Sequence, residues 1–331
     1  MKKEKILLVY PISSTFVVRD YEILSSEYCV DKHEIQFPSF SLKSLLLIVK
    51  EIFFFLFRIF NYKAIVIWFG DYHSFFPTMF AKLWRVKTYL IVGGYDVASM
   101  PEISYGSFSK PIRAFCTRCS YKWATLCLPV VEALDEKLKK FVPSAKSEVV
   151  YTGFKEDEFK PASEPKEKMV LTIAQTRTRS RYLLKGLDRF VLLAKNTPEF
   201  TFILVGLNEE YQYLIDDKPD NLIVIGGLPF LKLVDYMRRS SFYAQLSLSE
   251  GLPSTICETM LCECIPIGTN VGGIKNAIGD CGLVADWNIE LFKNYILTNH
   301  DNIKLRKKAR DYIKTHYYYS RRKDKILSLI S

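Results

Sequence analysis

The chain has 331 residues, 49 % of them hydrophobic and 25 % charged, which excludes a disordered or fibrous protein and leaves room for two domains. Lys and Arg number 46 against 36 Asp and Glu, and the resulting net charge of +10 asks for an anionic partner. The basic residues are dispersed rather than set on one recognition helix, so nucleic acid is set aside in favour of an anionic donor molecule and an anionic membrane surface.

In chain order, Met1 to Lys5 leads into a very short apolar strand, Ile6 to Tyr10, and no signal peptide is expected. Helices are predicted near Val18 to Glu27, Ser41 to Phe60 and Ser74 to Trp84, alternating with strands at Ala64 to Phe69 and Thr88 to Val92. Phe115 to Trp123 reads as an amphipathic helix, followed by a strand near Leu126 to Leu128 and a helix near Val131 to Phe141. The stretch 156–168, rich in Pro, Glu and Lys, reads as a linker. Beyond it the pattern restarts with a strand at Met169 to Ala174 and a helix from Gly186 to Asn196. Strands follow at Phe200 to Val205 and Leu222 to Ile225, then a helix at Leu231 to Arg239 and a strand at Phe242 to Leu246. A helix after Pro253 and short strands at Ile265 to Gly268 and Gly282 to Ala285 end the alternation. Such alternation predicts α/β domains with parallel sheets, one Rossmann-like domain over 1–155 and another over 169–331.

The segment Ser44 to Phe60 is strongly apolar, but Lys50, Glu51 and Arg58 interrupt it. It falls short of the roughly 20 apolar residues a membrane span needs. Burial of the helix is the default, with a helix lying in the lipid interface as the alternative. Of the 8 cysteines, Cys116 and Cys119 form C-x-x-C without a second pair, which reads as structural thiols in a reducing cytoplasm.

The richest stretch runs from Ser249 to Gly268. Glu250 and Glu258 stand with seven residues between them across a Gly251-Leu252-Pro253 turn that feeds a helix. Pro253 suits a first helical turn, and Ser254 and Thr255 are placed to satisfy amides there. A helix N-terminus offers amides and partial positive charge to phosphate, while two carboxylates accept hydrogen bonds from sugar hydroxyls. That combination points to a nucleotide sugar. Arg177, Arg179, Arg181 and Lys185, just after the strand Met169 to Ala174, add cations for a diphosphate. On the N-terminal side, Gly93-Gly94-Tyr95-Asp96 follows a strand directly, and its glycines admit a close approach of ligand or backbone.

At these residues the chain resembles the retaining glycosyltransferases of family 4. Their E-x7-E motif lies within S-x-x-E-G-x-P, matched by Ser247, Glu250, Gly251 and Pro253, with Pro266 and Gly272-Gly273 in keeping. Lys185-Gly186-Leu187-Asp188 matches the family's K-G-x-D, and Thr152-Gly153-Phe154 with Phe159 and Pro161 resembles the segment where such chains leave their first domain. The family's arginine directly after the strand is absent, since Ala174-Gln175 stands there, and Arg179 and Arg181 are the candidates to replace it. The resemblance implies the GT-B fold, two facing Rossmann-like domains with an interdomain cleft. It implies that Lys185 contacts donor phosphates, Glu258 the ribose and Glu250 the transferred sugar. Amides from Gly251 to Thr255 would meet the donor, and Gly227, Leu228 and Pro229 would line the base pocket. Relatives carry a histidine near Gly93, Gly94 and Asp96 on the acceptor side. None stands here, so His73 becomes the catalytic candidate.

The expected function is transfer of a sugar from a nucleotide-diphosphate donor to a glycan or lipid-linked acceptor in cell-surface polysaccharide or glycolipid synthesis. By resemblance it is retaining, with the donor phosphate taking the acceptor proton. No Asp-x-Asp metal site is visible, and neither cofactor nor metal is expected. The alternative is a catalytically silent sugar- or nucleotide-binding subunit of a glycosyltransferase complex. A dehydrogenase is set aside because Pro11-Ile12-Ser13-Ser14 replaces the glycine-rich turn. The expected location is the cytoplasm, at the inner face of the membrane. Binding to anionic lipid would use basic residues and the helix Ile52 to Phe60, and would be mostly reversed by salt.

Overall fold

The structure is a computed structural model and describes residues 3–36 and 42–331; expectations touching Met1, Lys2 and Ser41 lie outside these residues. The chain forms two compact units, Met1–Thr152 with Ser320–Ser331, and Gly153–Tyr319.

In the first unit, β1 (Lys5–Tyr10), α1 (Thr15–Glu27), β2 (Cys29–Glu34), α2 (Leu42–Arg58), β3 (Ala64–Trp68) and α3 (Tyr72–Trp84) lead into β4 (Lys87–Val92), α4 (Pro111–Trp123), β5 (Leu126–Pro129) and α5 (Glu132–Phe141). The strands are parallel, in the order β2-β1-β3-β4-β5. Strands covered on both faces read as unbroken apolar runs, as Ala64 to Trp68 does, and every residue of β3 is buried. β2 has no such signature. It alternates polar residues at the sheet edge and pairs with β1 alone. α2 buries Phe55 and Glu51 while Phe53 and Phe57 stay exposed, so the expected burial holds for one of its faces only.

The second unit runs β6 (Glu167–Thr176), α6 (Arg179–Leu184), α7 (Leu187–Lys195), β7 (Thr201–Leu207), β8 (Leu222–Ile225), α8 (Phe230–Arg239) and β9 (Ser240–Gln245). It continues with α9 (Ser254–Leu261), β10 (Ile265–Thr269), α10 (Ile274–Ile278), β11 (Leu283–Ala285), α11 (Ile289–Asn299) and α12 (Ile303–His316). Its parallel sheet has the order β11-β10-β9-β6-β7-β8, around a core that includes Phe190, Phe202, Phe242 and Phe292. Strand order reverses between β6 and β9. Loops leaving those two strands part in opposite directions, and α/β proteins place ligands in the crevice so formed.

The boundaries differ from those expected. The 156–168 stretch is mostly exposed but anchored at Phe159, which is fully buried and whose carbonyl accepts from Arg310 Nη1 at 2.9 Å, and its last two residues, Glu167 and Lys168, begin β6. The last helix, α13 (Tyr319–Ile330), lies almost wholly in the first unit, although its sequence was expected to extend the second domain to 331. Electrostatics explains this. Arg322 Nε and Nη2 donate to Asp20 Oδ1 and Oδ2 of α1 at 2.6 and 2.7 Å, with both side chains buried. Its Nη1 donates to the carbonyls of Val150 and Tyr151, each at 3.0 Å, and Trp68 Nε1 donates to Asp20 Oδ2 at 2.9 Å. Among the described residues no helix is long and apolar enough to cross a membrane.

Candidate functional site

β9 is buried along its length and ends at Gln245, an amide inside the sheet. A buried amide needs partners. Tyr243 OH donates to Gln245 Oε1 at 2.8 Å, and Gln245 Nε2 donates to Ser247 Oγ and to Glu250 Oε1, each at 2.8 Å. Ser247 Oγ donates to the same Oε1 at 2.7 Å, and Lys185 Nζ also reaches it at 2.7 Å. Three donors therefore converge on Oε1, while Oε2 has no hydrogen bond among the described residues. Glu250 is held in one orientation with one oxygen presented.

Burial pushes the Tyr243 hydroxyl well above its usual range; the carboxylates of Glu250 and Glu258 add to this, and the Thr255 hydroxyl opposes it. Tyr243 is thus a neutral donor at the centre of the group, and Glu258 is buried one turn inside α9. A Cβ on Gly272 would lie 1.9 Å from the Glu250 carbonyl oxygen, and Gly273 N donates to Gly251 O at 2.8 Å. The Gly272-Gly273 turn backs the carboxylate loop at a distance no larger residue permits. Pro253 precedes α9 instead of lying in its first turn, and no side chain caps the helix. The expected capping by Ser254 and Thr255 is corrected: the leading amides stay uncapped at the positive end of the helix dipole, with Gly251 and Leu252 half-buried before them.

Lys185 owes its place to Gly186. That residue has φ 64°, and a Cβ there would lie 1.9 Å from the Leu246 carbonyl oxygen. The chain thus passes directly over the end of β9, where Leu248 N donates to Leu184 O at 2.8 Å. Arg179 and Arg181 sit on α6 rather than in a loop, because Thr178 Oγ1 caps that helix by accepting from Arg181 N at 3.2 Å. Arg181 Nε donates to the Gln175 carbonyl at 2.9 Å, within the last residues of β6 where the family arginine is absent, and Arg179 is exposed. Gly227, Leu228 and Pro229 follow the edge strand β8, away from the carboxylates, with Gly227 N donating to Asn208 Oδ1 at 3.2 Å.

In the first unit, two expectations are corrected. His73 is buried, with Nε2 donating to the Trp68 carbonyl at 2.8 Å. Burial lowers its pKa, so it is a neutral core histidine and not a base presented to substrate. Asp96 is fully buried and accepts from the amides of Gly70 and Gly94 at 3.1 and 2.8 Å and from Tyr121 OH at 2.7 Å. Burial raises its carboxyl pKa against those hydrogen bonds. It ties the ends of β3 and β4 together instead of lining an acceptor site. Gly93 does permit a close approach, but the Phe69 ring takes the space, 2.2 Å from where a Cβ would stand.

Among the described residues no group of three or more His, Cys, Asp or Glu is placed to hold a metal ion, and the cysteines are free thiols. Gln245 went unnoticed in the sequence; the signal was a lone amide at the end of the apolar run Phe242 to Leu246. Gln245→Leu should cost about 1–3 kcal/mol in urea unfolding, because the buried Tyr243 hydroxyl loses its acceptor. Adding Tyr243→Phe should recover most of that loss, and no recovery would place the cost elsewhere.

Residues 153–316 match the family Glycosyl transferases group 1. An uncharacterised glycosyltransferase of Methanocaldococcus jannaschii is 30 % identical over 130 residues, which span 37 % of this chain and only 37 % of that protein's length. Sucrose-phosphate synthase from Thermosynechococcus elongatus has a similar structure, with a TM-score of 0.75 and 14 % identity over 99 % of this chain and 98 % of that one. Anabaena HepE in complex with UDP and glucose gives 0.76 at 14 % identity over 99 % of each chain. WaaG, a glycosyltransferase involved in lipopolysaccharide biosynthesis, gives 0.71 at 13 % identity over 99 % of each. At such identities the likeness is one of fold, the α/β GT-B class with two parallel sheets. The family match takes in the strands and loops that hold Lys185, Glu250 and Glu258, and over residues 153–316 the chain is similar to the glycosyl transferases group 1.

Proposed function

We propose that the chain moves a sugar from a nucleotide-diphosphate donor to a glycan or lipid-linked acceptor, in the synthesis of cell-surface polysaccharide or glycolipid. The observation that carries this is the Lys185–Glu250 contact of 2.7 Å, beside the uncapped N-terminus of α9 at the switch point of the second sheet. A diphosphate entering there meets Lys185 and the α9 amides as donors. Glu250 then turns its open Oε2 to a hydroxyl of the sugar, and Glu258 accepts from the ribose. Gly227, Leu228 and Pro229 take the base, and Arg179 and Arg181 supply further positive charge. The Anabaena structure contains UDP and glucose, which makes uridine diphosphate sugars the first donors to try.

The transfer breaks the bond between the anomeric carbon and the phosphate oxygen and forms one to the acceptor oxygen, whose proton passes to the donor phosphate. Retention of configuration and independence from metal belong to the proposal, with Lys185 and the arginines balancing the leaving charge. The second unit takes the donor and the first the acceptor, in the cytoplasm at the inner face of the membrane. One observation favours a silent binding subunit instead: Arg181 is engaged by the Gln175 carbonyl, leaving fewer free cations. Donor hydrolysis or transfer by the purified chain, with and without chelator, decides between the readings.

Lys185→Ala should weaken nucleotide-diphosphate binding by about 1.5–3 kcal/mol with the fold intact, since one charge-assisted contact is lost. Calorimetry that returns unchanged affinity would sink the assignment.

A further inference from the structure

α2 is two-faced. Phe55 is fully buried on its inner side, as is Ile59 just after the helix, and Glu51 turns inward to pair with His33 Nε2 at 2.7 Å. Its outer side is apolar and open. Leu45, Leu46, Val49, Phe53 and Phe57, with Phe60 just beyond the helix, are each between 42 and 63 % exposed. Positions 45, 49, 53 and 57 are four apart, so they fall on one side of the helix as a stripe. The end of α3 extends it, because the exposed Trp84 meets the Phe60 ring edge-on at 5.7 Å. Single exposed apolar side chains need no explanation, but a continuous stripe of them does.

Charge around the stripe is one-sided. α2, α3 and α4, neighbours in the first unit, hold a single carboxylate between them, the buried Glu51, in a chain with 36 acidic residues. Lys50, Arg58, Lys82 and Arg85 are exposed on or next to these helices and make no ion pair among the described residues. An apolar stripe with unpaired cations and no exposed carboxylate is complementary to an anionic bilayer, whose acyl boundary takes the rings while its phosphates take the cations. A second copy docked through the same face would set like charges against each other.

We propose that α2 and the end of α3 form a membrane-docking face, with the α2 axis parallel to the surface and its apolar stripe inserted into anionic lipid. This goes beyond the location given above, because it names the residues and reverses the salt response expected from charge alone. Insertion resists salt, whereas a purely electrostatic contact fades as the Debye length falls to about 3 Å near 1 M salt.

The test is sedimentation of the full chain with phosphatidylglycerol–phosphatidylcholine vesicles and with phosphatidylcholine alone, at low salt and near 1 M. Binding to the acidic vesicles should keep at least half its strength in high salt. Phe53→Ser with Phe57→Ser should lower vesicle partition at least tenfold, with circular dichroism and nucleotide-diphosphate affinity unchanged. Those two controls separate failure of this proposal from failure of the donor-site reading. Lys50→Gln with Lys82→Gln and Arg85→Gln should reduce binding to acidic vesicles by a smaller factor. Complete release by salt, undiminished binding of the double serine variant, or no binding to acidic vesicles would each overturn the proposal. A dimer in lipid-free solution that the serine variant dissolves would overturn it in favour of self-association.

Discussion

Glu250→Gln should lower turnover by about 100- to 1000-fold, the scale seen when one preorganised electrostatic contact is removed, and leave nucleotide-diphosphate affinity nearly unchanged. The geometry dictates how the amide must sit. Lys185, Gln245 and Ser247 all donate to Oε1, so only the amide oxygen can take that place. Its NH2 then occupies the position of Oε2, where a charged acceptor becomes a neutral donor. The protein side of the site is preserved and the presented atom alone is inverted. Glu258→Gln should behave differently, weakening nucleotide binding with less effect on turnover of bound donor, because ribose hydroxyls need an acceptor there. Steady-state kinetics beside calorimetry separates the two variants. If both lose only donor affinity, or neither changes, the division of roles is wrong.

Asp20→Ala should destabilise the first unit by about 3–5 kcal/mol, because it leaves the Arg322 guanidinium buried without its counter-ion. Trp68 Nε1 loses its acceptor in the same step. Hydrogen exchange of the amides in β1, β3 and β4, followed alongside urea unfolding, reports on that unit by itself. Asp20→Leu combined with Arg322→Met should recover most of the loss, since two apolar groups of similar volume remove the charge together with its need for a partner. A single variant within about 0.5 kcal/mol of the parent would show that the pair does not hold α13 in place.

What could be read from the sequence follows from what each signal measures. Apolar runs such as Ala64 to Trp68 report burial on both sides, so they mark central parallel strands; β2, at an edge, carries no such run. α6 is six residues long and rich in arginine, and only the Thr178 cap distinguishes it from a basic loop. The E-x7-E and K-G-x-D motifs marked Glu250 and Lys185 separately. Their contact spans 65 positions and depends on β9 lying beside β6, which spacing along the chain does not encode. His73 and Asp96 misled for a related reason. A polar residue after a strand is as well suited to satisfying buried backbone as to meeting a ligand, and here the Trp68 carbonyl and the Gly70 and Gly94 amides claim them.

The Asp20–Arg322 pair also sets a timetable for biosynthesis. Its partners lie 302 positions apart, and at about 5–20 residues per second a ribosome needs on the order of 15–60 s to deliver the second after the first. Throughout that interval the nascent first unit contains a carboxylate destined for the interior with no cation to meet it. The second unit, contiguous from Gly153 to Tyr319, has a shorter wait, because the Phe154 amide meets the Tyr317 carbonyl at 2.8 Å, 163 positions on. The N-terminal unit, begun first, is therefore completed last, since its segment Ser320–Ser331 follows the whole of the second unit. A fragment ending at Thr152 would correspond to this waiting state and should expose hydrophobic surface wherever it is expressed.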